Sequence, residues 1–503
     1  MKRLLSVLMA LSLVAAGCAK KSEVASRAAS LVPSNALAYV TVSLDPSSEQ
    51  KRTLKTLCAK FEQIGESKCD VAKLLEALFG DIGMSYASDV KPWIGEELSV
   101  AVLPPSRSEG EPLVVLLVEA RDTEVAGEKL KAAKAKEKEL DYRVTGNYVA
   151  IAGQEGAINR TAALDAVDAQ SAGDQKRSLG GDSRFTNLAA KVRSPHLALG
   201  WWDISRTVDL MGSKMPIPGF SGLLDLVKGA GGALAVALYA EPDGLALEGM
   251  TDSKMASVAP GQGGVPVLTE GLPADTLAAL TMFGIGSQLD EAAGQGDAGT
   301  QLKDALDQVR SETGIDVRQD VLSWMGGEVV IAAGPPHNSP FPQVGLVVEP
   351  TDKAKAAAGV EKIKAAAEEA LGAPLRPVDV GGTKAYVLPG EIMPGIAPAM
   401  ALFPDRFVVA STPDYLSALS KAASPGFGST AEYKRIAGSD SKVAVQLAVR
   451  LSGVRDAIVG FLEGDDKADY DKNVAPWLEP LQALLLRVES GADGKFELKI
   501  TTR

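Results

Sequence analysis

The sequence predicts an α+β fold made of two tandem, homologous units, each a largely antiparallel β-sheet with packed helices. Residues 89–101 and 320–332 share six identities in thirteen aligned positions, namely Asp, Val, Trp, Gly, Glu and Ala. Strand-like apolar runs alternate with helices rich in Ala, Lys and Glu in both halves. An Asp-Gly pair, which favours tight hairpin turns, closes each half at Asp243 and Asp493. These three observations indicate duplication of one α+β unit.

The repeat sets the boundaries of the predicted segments. They are a signal peptide over 1–17, a tether over 18–30, a first unit over 31–250, a linker over 251–270 and a second unit over 271–503. Each unit begins with a proline-led strand, at Pro33 and Pro273. The linker is rich in Gly and Pro, which interrupt regular structure.

The N-terminus has the pattern of an export signal. Lys2 and Arg3 precede an apolar stretch over residues 4–14, which is too short to span a membrane, and small residues follow it up to Cys18. The Ala-Gly-Cys sequence resembles the lipobox of bacterial lipoproteins, although residue 15 is Ala where that family most often has Leu. The resemblance implies acylation of Cys18, with diacylglycerol and palmitate as the lipids, and anchoring to a membrane outside the cytoplasm. An ordinary cleaved signal with an incidental Cys is the alternative.

Two predicted strands in the repeat begin with the same Trp-x-Gly-x-Glu element. Its residues are Trp93, Gly95 and Glu97 in the first copy, and Trp324, Gly326 and Glu328 in the second. We interpret the element as structural, because large aromatics are mostly buried and a glycine permits a turn into the strand. A recurrent binding element is the alternative.

The proline-led strands, both Trp-x-Gly-x-Glu elements and the paired architecture resemble a family of exported bacterial proteins. That family is catalogued as domain of unknown function 3352, and the resemblance covers nearly all of the mature chain. Because the family has no established activity, the resemblance implies no catalytic residue and no cofactor.

Composition argues against several classes of function. The formal charge is −12, which disfavours binding to nucleic acid. The chain has only two histidines, and its acidic run over 463–473 lacks the spacing of a calcium loop, so we expect no metal site and no cofactor. Patterns for nucleophilic, zinc-dependent or phosphate-loop chemistry are missing from the sequence. Catalysis by carboxylates that recur in both copies is one alternative, and capping or strand-edge solvation is their favoured role. Those residues are Glu97, Glu119, Glu328 and Glu349.

Cys58 and Cys69 are the cysteines that remain once Cys18 is set aside. Each belongs to an apolar helical pattern, and an exported compartment permits oxidation. We therefore predict a disulfide that joins two helices, with two buried free thiols as the alternative.

Apolar contact residues are predicted in two loops broken by proline and glycine, and at a pair of tryptophans. They are Met215, Ile217 and Phe220 in the first loop, Ile392, Met393, Ile396 and Met400 in the second, and Trp201 with Trp202. Met and Ile provide adaptable apolar surface, so the loops are candidates for gating a groove or for touching a membrane or partner. Loops folded back onto the core are the alternative. Adjacent strand residues face opposite sides, so one Trp serves each face of the sheet.

These observations predict a membrane-anchored envelope lipoprotein with a binding or scaffolding role and no enzymatic chemistry. The partner is either an apolar ligand or another envelope protein. One rival hypothesis is a carrier for a lipid or other apolar molecule, which requires an apolar cavity between sheet and helices. The other rival is an enzyme of unfamiliar type, which requires polar groups that converge in a cleft.

Overall fold

The computed structural model describes most of the chain from Arg27 to Arg503. The described residues are 27–61, 71–80, 82–107, 110–137, 139–152, 157–171, 177–212, 232–252, 263–286, 296–337, 339, 341–437, 442–490 and 494–503. They form two compact units, one from residue 27 to 252 and the other from residue 263 to 503. The fold is α+β with antiparallel strands, as expected. Several residues singled out in the sequence lie outside the described residues. They are Lys2, Arg3 and Cys18, Cys69, the loop residues Met215, Ile217 and Phe220, and Asp493 of the predicted turn.

The first unit orders its described strands β4-β5-β3-β2-β1-β6-β7-β8, and each neighbouring pair is antiparallel. The strands are β1 Ala38–Ser43, β2 Ile94–Leu103, β3 Leu113–Ala120, β4 Asp141–Thr145, β5 Tyr148–Ala152, β6 Ala198–Asp203, β7 Ala233–Glu241 and β8 Gly244–Thr251. The helices are α1 Ser48–Ala59, α2 Val71–Gly80, α3 Thr123–Lys136, α4 Ala157–Ser171, α5 Ser183–Ala189 and α6 Ile204–Gly212. The predicted turn at Asp243 joins β7 to β8.

Helices cover both faces of the first unit's sheet. On one face, α4 and α5 pack over Tyr39 and Trp201. On the other face, α2 and α3 pack over Trp93, and α1 lies near the end of β7 at Ala240. The sheet is therefore the middle layer of three, which is why its central strands are apolar on both sides.

The second unit orders its described strands β12-β13-β14-β15-β11-β10-β9-β16-β17-β18, again with antiparallel neighbours. The strands are β9 Ala278–Phe283, β10 Glu328–Pro336, β11 Pro342–Val348, β12 Arg376–Val380, β13 Thr383–Val387, β14 Ala399–Leu402, β15 Phe407–Ala410, β16 Val443–Arg450, β17 Leu481–Glu489 and β18 Lys495–Thr502. The helices are α7 Val267–Glu270, α8 Gly296–Thr313, α9 Lys353–Leu371, α10 Pro413–Leu419, α11 Ala431–Ala437, α12 Leu451–Val459, α13 Gly464–Asp469 and α14 Ala475–Leu478.

One face of the second sheet is fully packed, and the other is packed only in part. Helices α10 and α11 lie on the packed face, where Val330 and Ala448 belong to one buried cluster. On the other face, α9 lies over Trp324 and Phe407. The remainder of that second face is described with the candidate site below.

Aspartates start the helix that follows the long central hairpin in each unit. Asp122 accepts hydrogen bonds from two backbone N–H groups at the first turn of α3, at 3.0 and 3.1 Å. Asp352 accepts the matching pair at the start of α9, also at 3.0 and 3.1 Å. These side chains satisfy N–H groups that a helix start leaves without partners, and so they fix where both helices begin. Of the helices described, none combines the length and the hydropathy that crossing a bilayer requires.

Candidate functional site

The repeated tryptophan closes a short turn in each unit. Trp93 is fully buried, and its indole N–H donates to the main-chain oxygen of Asp89 at 2.6 Å. The Asp89 carboxylate accepts from Lys129 of α3 at 3.1 Å, and this hydrogen bond is the main cause of its lowered pKa. The turn is thereby joined to the helix that covers it.

The second unit contains the same arrangement. Trp324 is fully buried and donates to the main-chain oxygen of Asp320 at 2.7 Å. Lys362 of α9 donates to the Asp320 carboxylate at 2.7 Å, which lowers the pKa of Asp320. Both tryptophans therefore anchor a core and present no free polar atom to a ligand.

The glycine of the element is needed for a close approach within each sheet. A Cβ on Gly95, which lies inside β2, would stand 2.7 Å from the Cγ atom of Glu119. In the second unit the glycine against the matching glutamate is Gly327, whose Cβ would stand 2.7 Å from the main-chain oxygen of Glu349. Gly326, which the sequence alignment selects, faces Thr351 instead. The close approach to a glutamate thus constrains Gly95 and Gly327.

Glu328 is almost completely buried, with 1% of its surface exposed. Its carboxylate accepts from the backbone N–H groups of Leu268 at 2.7 Å and Thr269 at 2.9 Å, and from the Thr269 hydroxyl at 2.8 Å. These donors lie at the start of α7, so Glu328 caps that helix from a neighbouring strand. Burial raises the pKa of Glu328 above its ordinary value.

Glu97 holds the matching place in the first unit and is also surrounded by donors. Thr41 donates to it at 2.9 Å, Ser99 at 3.1 Å and the Tyr148 hydroxyl at 2.8 Å. Burial, followed by the nearby Glu97 carboxylate, raises the pKa of Tyr148. Glu328 thus caps a helix, whereas Glu97 accepts from three side-chain hydroxyls.

A cavity of about 430 Å³ lies in the first unit beside the start of β2. Its lining is Leu44, Asp45, Ala72, Leu75, Tyr86, Ile94, Gly95, Glu96 and Arg121. Two of the three charged groups there have protein partners, because Arg121 donates to the Ile94 oxygen at 2.7 Å and Asp45 pairs with Lys51 at 3.2 Å. The cavity offers space but no converging set of reactive groups.

Within the described residues, the second unit has a wide apolar surface that its helices cover only in part, since Met282 and Leu346 at its margin pack against the Trp324 cluster. On this side of the sheet Val329 and Val348 are buried in the Trp324 cluster, and Thr502 is buried at the end of β18. The part that we call the open face consists of sixteen apolar residues of β9, β10, β11, β16, β17 and β18 that point to the same side and keep part of their surface exposed. They are Ala278, Leu280, Met282, Ile331, Ala333, Val344, Leu346, Val445, Leu447, Val449, Leu484, Leu486, Val488, Phe496, Leu498 and Ile500. All are apolar, and every one keeps part of its surface exposed. Val344 is 48% exposed, Ile331 41% and Leu486 37%.

Polar side chains on the same strands point to the other, packed face. Thr281, Gln446 and Arg487 are all buried there. Gln446 donates to the hydroxyl of Tyr433 at 3.0 Å, and Arg487 donates to Glu497 at 2.7 Å. The apolar side of these strands is therefore exposed while their mixed side is buried, which reverses the usual arrangement of a one-sided sheet.

The first unit leaves the corresponding face partly exposed on β7 and β8, at Leu234, Val236 and Leu247, and covers the part that β2 and β3 form. Its strands there present Leu98, Val100, Val114, Leu116 and Val118, all of which are buried beneath helices. The two units differ in the helices that connect β1 to β2 and β9 to β10. Helices α1 and α2 pack onto the sheet of the first unit, whereas α8 does not pack onto the sheet of the second.

The predicted apolar contact residues are dispersed. Trp201 is buried, whereas Trp202 is 44% exposed at the uncovered end of the first unit's face. Ile392 and Met393 are exposed at a loop tip and Ile396 is half-buried beside them.

Met400 is buried in the Trp324 cluster.

The sequence analysis did not predict the open face, although the alternation of apolar residues in β16, β17 and β18 is a signal for it. The residues within the described ranges include no group of three or more metal-ligating side chains.

Comparison with known proteins gives a family and no activity. No curated protein matches the chain, and no solved structure matches it. One family model, described as a protein of unknown function (DUF3352), matches residues 4–387. That range covers more than half of the 503 residues and includes both Trp-x-Gly-x-Glu elements. The chain therefore belongs to the DUF3352 family.

Proposed function

We propose that this protein is an exported, lipid-anchored binding protein that holds a molecule with long alkyl chains on the open face of its second unit. The observation that carries the proposal is the composition of that face, which is apolar throughout and partly exposed at every position. In the proposal the chain has no catalytic role, and Cys18 carries the lipid.

The dimensions of the open face suit an extended hydrocarbon. Six neighbouring strands span about 24 Å, because adjacent strands lie roughly 4.8 Å apart. Contiguous apolar patches of several hundred Å² on a monomer commonly mark sites of interaction. Removing such a surface from water is favourable by about 25 cal/mol per Å², so an occupant that covers it gains affinity from contact alone.

The chemistry of the face favours alkyl chains over a protein partner. Protein interfaces carry about one hydrogen bond per 100–200 Å², together with a polar rim. None of the residues that define the open face has a polar side chain. A hydrocarbon chain needs no hydrogen bonds and therefore fits this lining better.

A lipid on Cys18 would keep the protein close to a source of such molecules. Arg27, where the described structure begins, lies nine positions after Cys18 (27 − 18 = 9). An extended chain of that length reaches at most about 30 Å. The first unit would then remain within that distance of the membrane surface.

The proposal includes duplication of one ancestral unit. The strand order β5-β3-β2-β1-β6-β7-β8 of the first unit corresponds to β15-β11-β10-β9-β16-β17-β18 of the second. The matching Trp–Asp–Lys contacts and the capping aspartates support this relationship. One copy would have kept a covered sheet while the other became a binding surface.

A scaffolding role is the second candidate, and a different surface favours it. Ile458, Phe461, Trp477 and Leu478 are exposed on and near α12 and α14. Clusters of exposed aromatic and aliphatic side chains mark contact sites for proteins or membranes. This candidate predicts a partner that binds even when the open face is blocked.

Native mass spectrometry of the mature chain tests the alkyl-chain proposal, with oleic acid as the probe. We expect a bound mass that organic extraction removes, and at least about tenfold weaker binding in Ile331→Glu, because a carboxylate on the face must be desolvated. Val144→Glu is the matched control, since Val144 is also β-branched, on a strand and 43% exposed, but lies in the first unit. Equal oleate binding by both variants, or none by the unaltered protein, would reject the proposal.

A further inference from the structure

We infer that helix α8 is the cover of the open face and closes over a bound alkyl chain. The inference rests on the function proposed above and adds the element that controls access to the site. In the structure α8 stands off the face, so it shows the arrangement that admits a ligand. The argument uses the surface of α8, its place in the chain and its length.

The surface of α8 is amphipathic and mostly unpacked. Leu302, Leu306 and Val309 recur at the spacing of one helical face, while Asp304 and Gln308 lie on the opposite side. Val309 is 39% exposed, and from Lys303 to Thr313 no residue is buried. Among the described residues, the buried apolar clusters include no member of α8. An apolar stripe of this kind is normally found against a sheet or another helix.

The position of α8 in the chain matches that of the helices that cover the first unit. Helices α1 and α2 connect β1 to β2, and they bury Leu54, Leu57, Leu75 and Leu78 against the sheet. Helix α8 connects β9 to β10, the strands at the same places in the second sheet. The first unit therefore displays, over β2, β3 and the end of β7, the closed arrangement that we assign to the second.

The length of α8 fits the surface that it would cover. Its 18 residues rise about 27 Å at 1.5 Å per residue, against about 24 Å for six strands. At its C-terminal end, Gly314 has φ +70°, a conformation that glycine adopts without strain. The ion pair there, between Arg310 and Asp316 at 3.3 Å, involves an arginine side chain that is 65% exposed. Exposed pairs of this type contribute little, so they would not prevent the helix from changing its position.

Closure would bury two apolar surfaces at once. The stripe of α8 would lie on hydrocarbon bound to the open face, and its charged side would remain in water. The free energy for closing comes from apolar area removed from water, which is larger when a ligand fills the space between helix and sheet. A bound alkyl chain should therefore favour the closed arrangement.

Disulfide crosslinking in the full-length chain tests the inference. Leu306→Cys with Leu486→Cys places one thiol on the stripe and one on the open face. Asp304→Cys with Leu486→Cys is the matched control, because residue 304 points to the opposite side of the helix. After mild oxidation, tryptic mapping by mass spectrometry identifies the crosslinked peptide apart from any that contain Cys58 or Cys69.

We expect oleic acid to raise the Leu306–Leu486 crosslink at least about tenfold over the control pair, because only the stripe can face the sheet. Bound oleate without that increase would overturn the cover while leaving the proposed function intact. Failure of the unaltered protein to bind oleate would overturn both. A second variant gives an independent result, since Leu306→Asp should bind oleate but release it about tenfold faster as its charge disfavours closure. An unchanged release rate would count against the cover.

Discussion

Trp324 donates its indole N–H to the main-chain oxygen of Asp320 at 2.7 Å, and Lys362 holds the Asp320 side chain at the same distance. Asp320 thus binds Trp324 through its main-chain oxygen and helix α9 through its carboxylate. In the first unit, Trp93 and Lys129 make the same two contacts with Asp89. The element that is most similar between the halves is therefore a structural clasp, and the binding surface that we propose lies elsewhere.

The clasp predicts opposite effects for alanine at one glycine in each of the two helices α9 and α3. In α9 a Cβ on Gly359 would overlap the main-chain oxygen of Asp320 and stand 2.8 Å from the indole nitrogen of Trp324. In α3 a Cβ on Gly127 would meet nothing within 4 Å. We expect Gly359→Ala to destabilise the protein by about 1–3 kcal/mol. Gly127→Ala should be neutral or stabilise it by up to about 1 kcal/mol.

Urea unfolding of both variants, followed by intrinsic tryptophan fluorescence, measures the two free energies. Because both glycines lie inside helices, helix propensity alone would stabilise both variants equally. Equal changes in the two variants would show that the contact between α9 and the clasp is not tight.

The tryptophans, strands and capping aspartates could be predicted because each depends on residues that are near in sequence. The reason why a glycine is needed at position 95 could not be predicted, since Gly95 is constrained by Glu119, which lies on the neighbouring strand. Alternation predicts an apolar face for β16 and β17, but it does not say whether a helix of the chain covers that face. The answer depends on α8, whose amphipathic pattern fits either a packed or an exposed helix.

Glu328 should make stability depend on pH. Burial raises its folded-state pKa above the ordinary 4.5, so the folded protein holds the proton more tightly than the unfolded chain. Its contribution is fully present below pH 4.5 and is lost as pH rises through the raised pKa. Glu328→Gln cannot titrate. The unfolding free energy of the unaltered protein minus that of the variant should therefore fall between pH 4 and 7, by about 1 kcal/mol per unit of pKa shift.

The variant also carries a constant penalty, because a Gln amide turns an N–H group toward the backbone donors of Leu268 and Thr269. Denaturant titrations across the pH range separate this fixed offset from the pH-dependent part. Glu369→Gln, on the exposed side of α9, serves as the control. A difference that rises with pH would contradict the assignment of burial as the cause.

Lipidation at Cys18 predicts a change of compartment. We expect the unaltered protein to fractionate with membranes and to incorporate labelled palmitate, because two or more acyl chains bind membranes stably. Cys18→Ser should lose the label and appear in the soluble fraction. Cys58→Ser, which leaves the N-terminus intact, is the control. Membrane fractionation that persists without the label would indicate a protein or surface contact in place of the lipid.

The bridge between Cys58 and Cys69 remains a prediction, since Cys69 lies outside the described residues. It would close a loop of twelve residues (69 − 58 + 1), for which the chain-entropy model gives about 3 kcal/mol. Reduction should therefore lower the denaturation midpoint and allow alkylation of two further thiols. Cys58→Ser should reproduce the loss of stability without sensitivity to reductant. Full alkylation before reduction would rule out the bridge.

Trp93 and Trp201 provide a comparison of two buried indoles that differ in their hydrogen bonds. Trp93 donates to Asp89, whereas the Trp201 N–H has no hydrogen-bond partner in the part of the chain that the structure describes. Replacement by Phe keeps an aromatic ring in both cores and leaves a similar gap. At position 93 it also leaves a carbonyl oxygen without its donor, while at position 201 it removes a donor that was already unsatisfied. Trp93→Phe should therefore cost about 1–3 kcal/mol more than Trp201→Phe in equilibrium unfolding. An equal or larger loss at position 201 would mean that its indole N–H contributes a contact in solution, and that the clasp depends on ring packing alone.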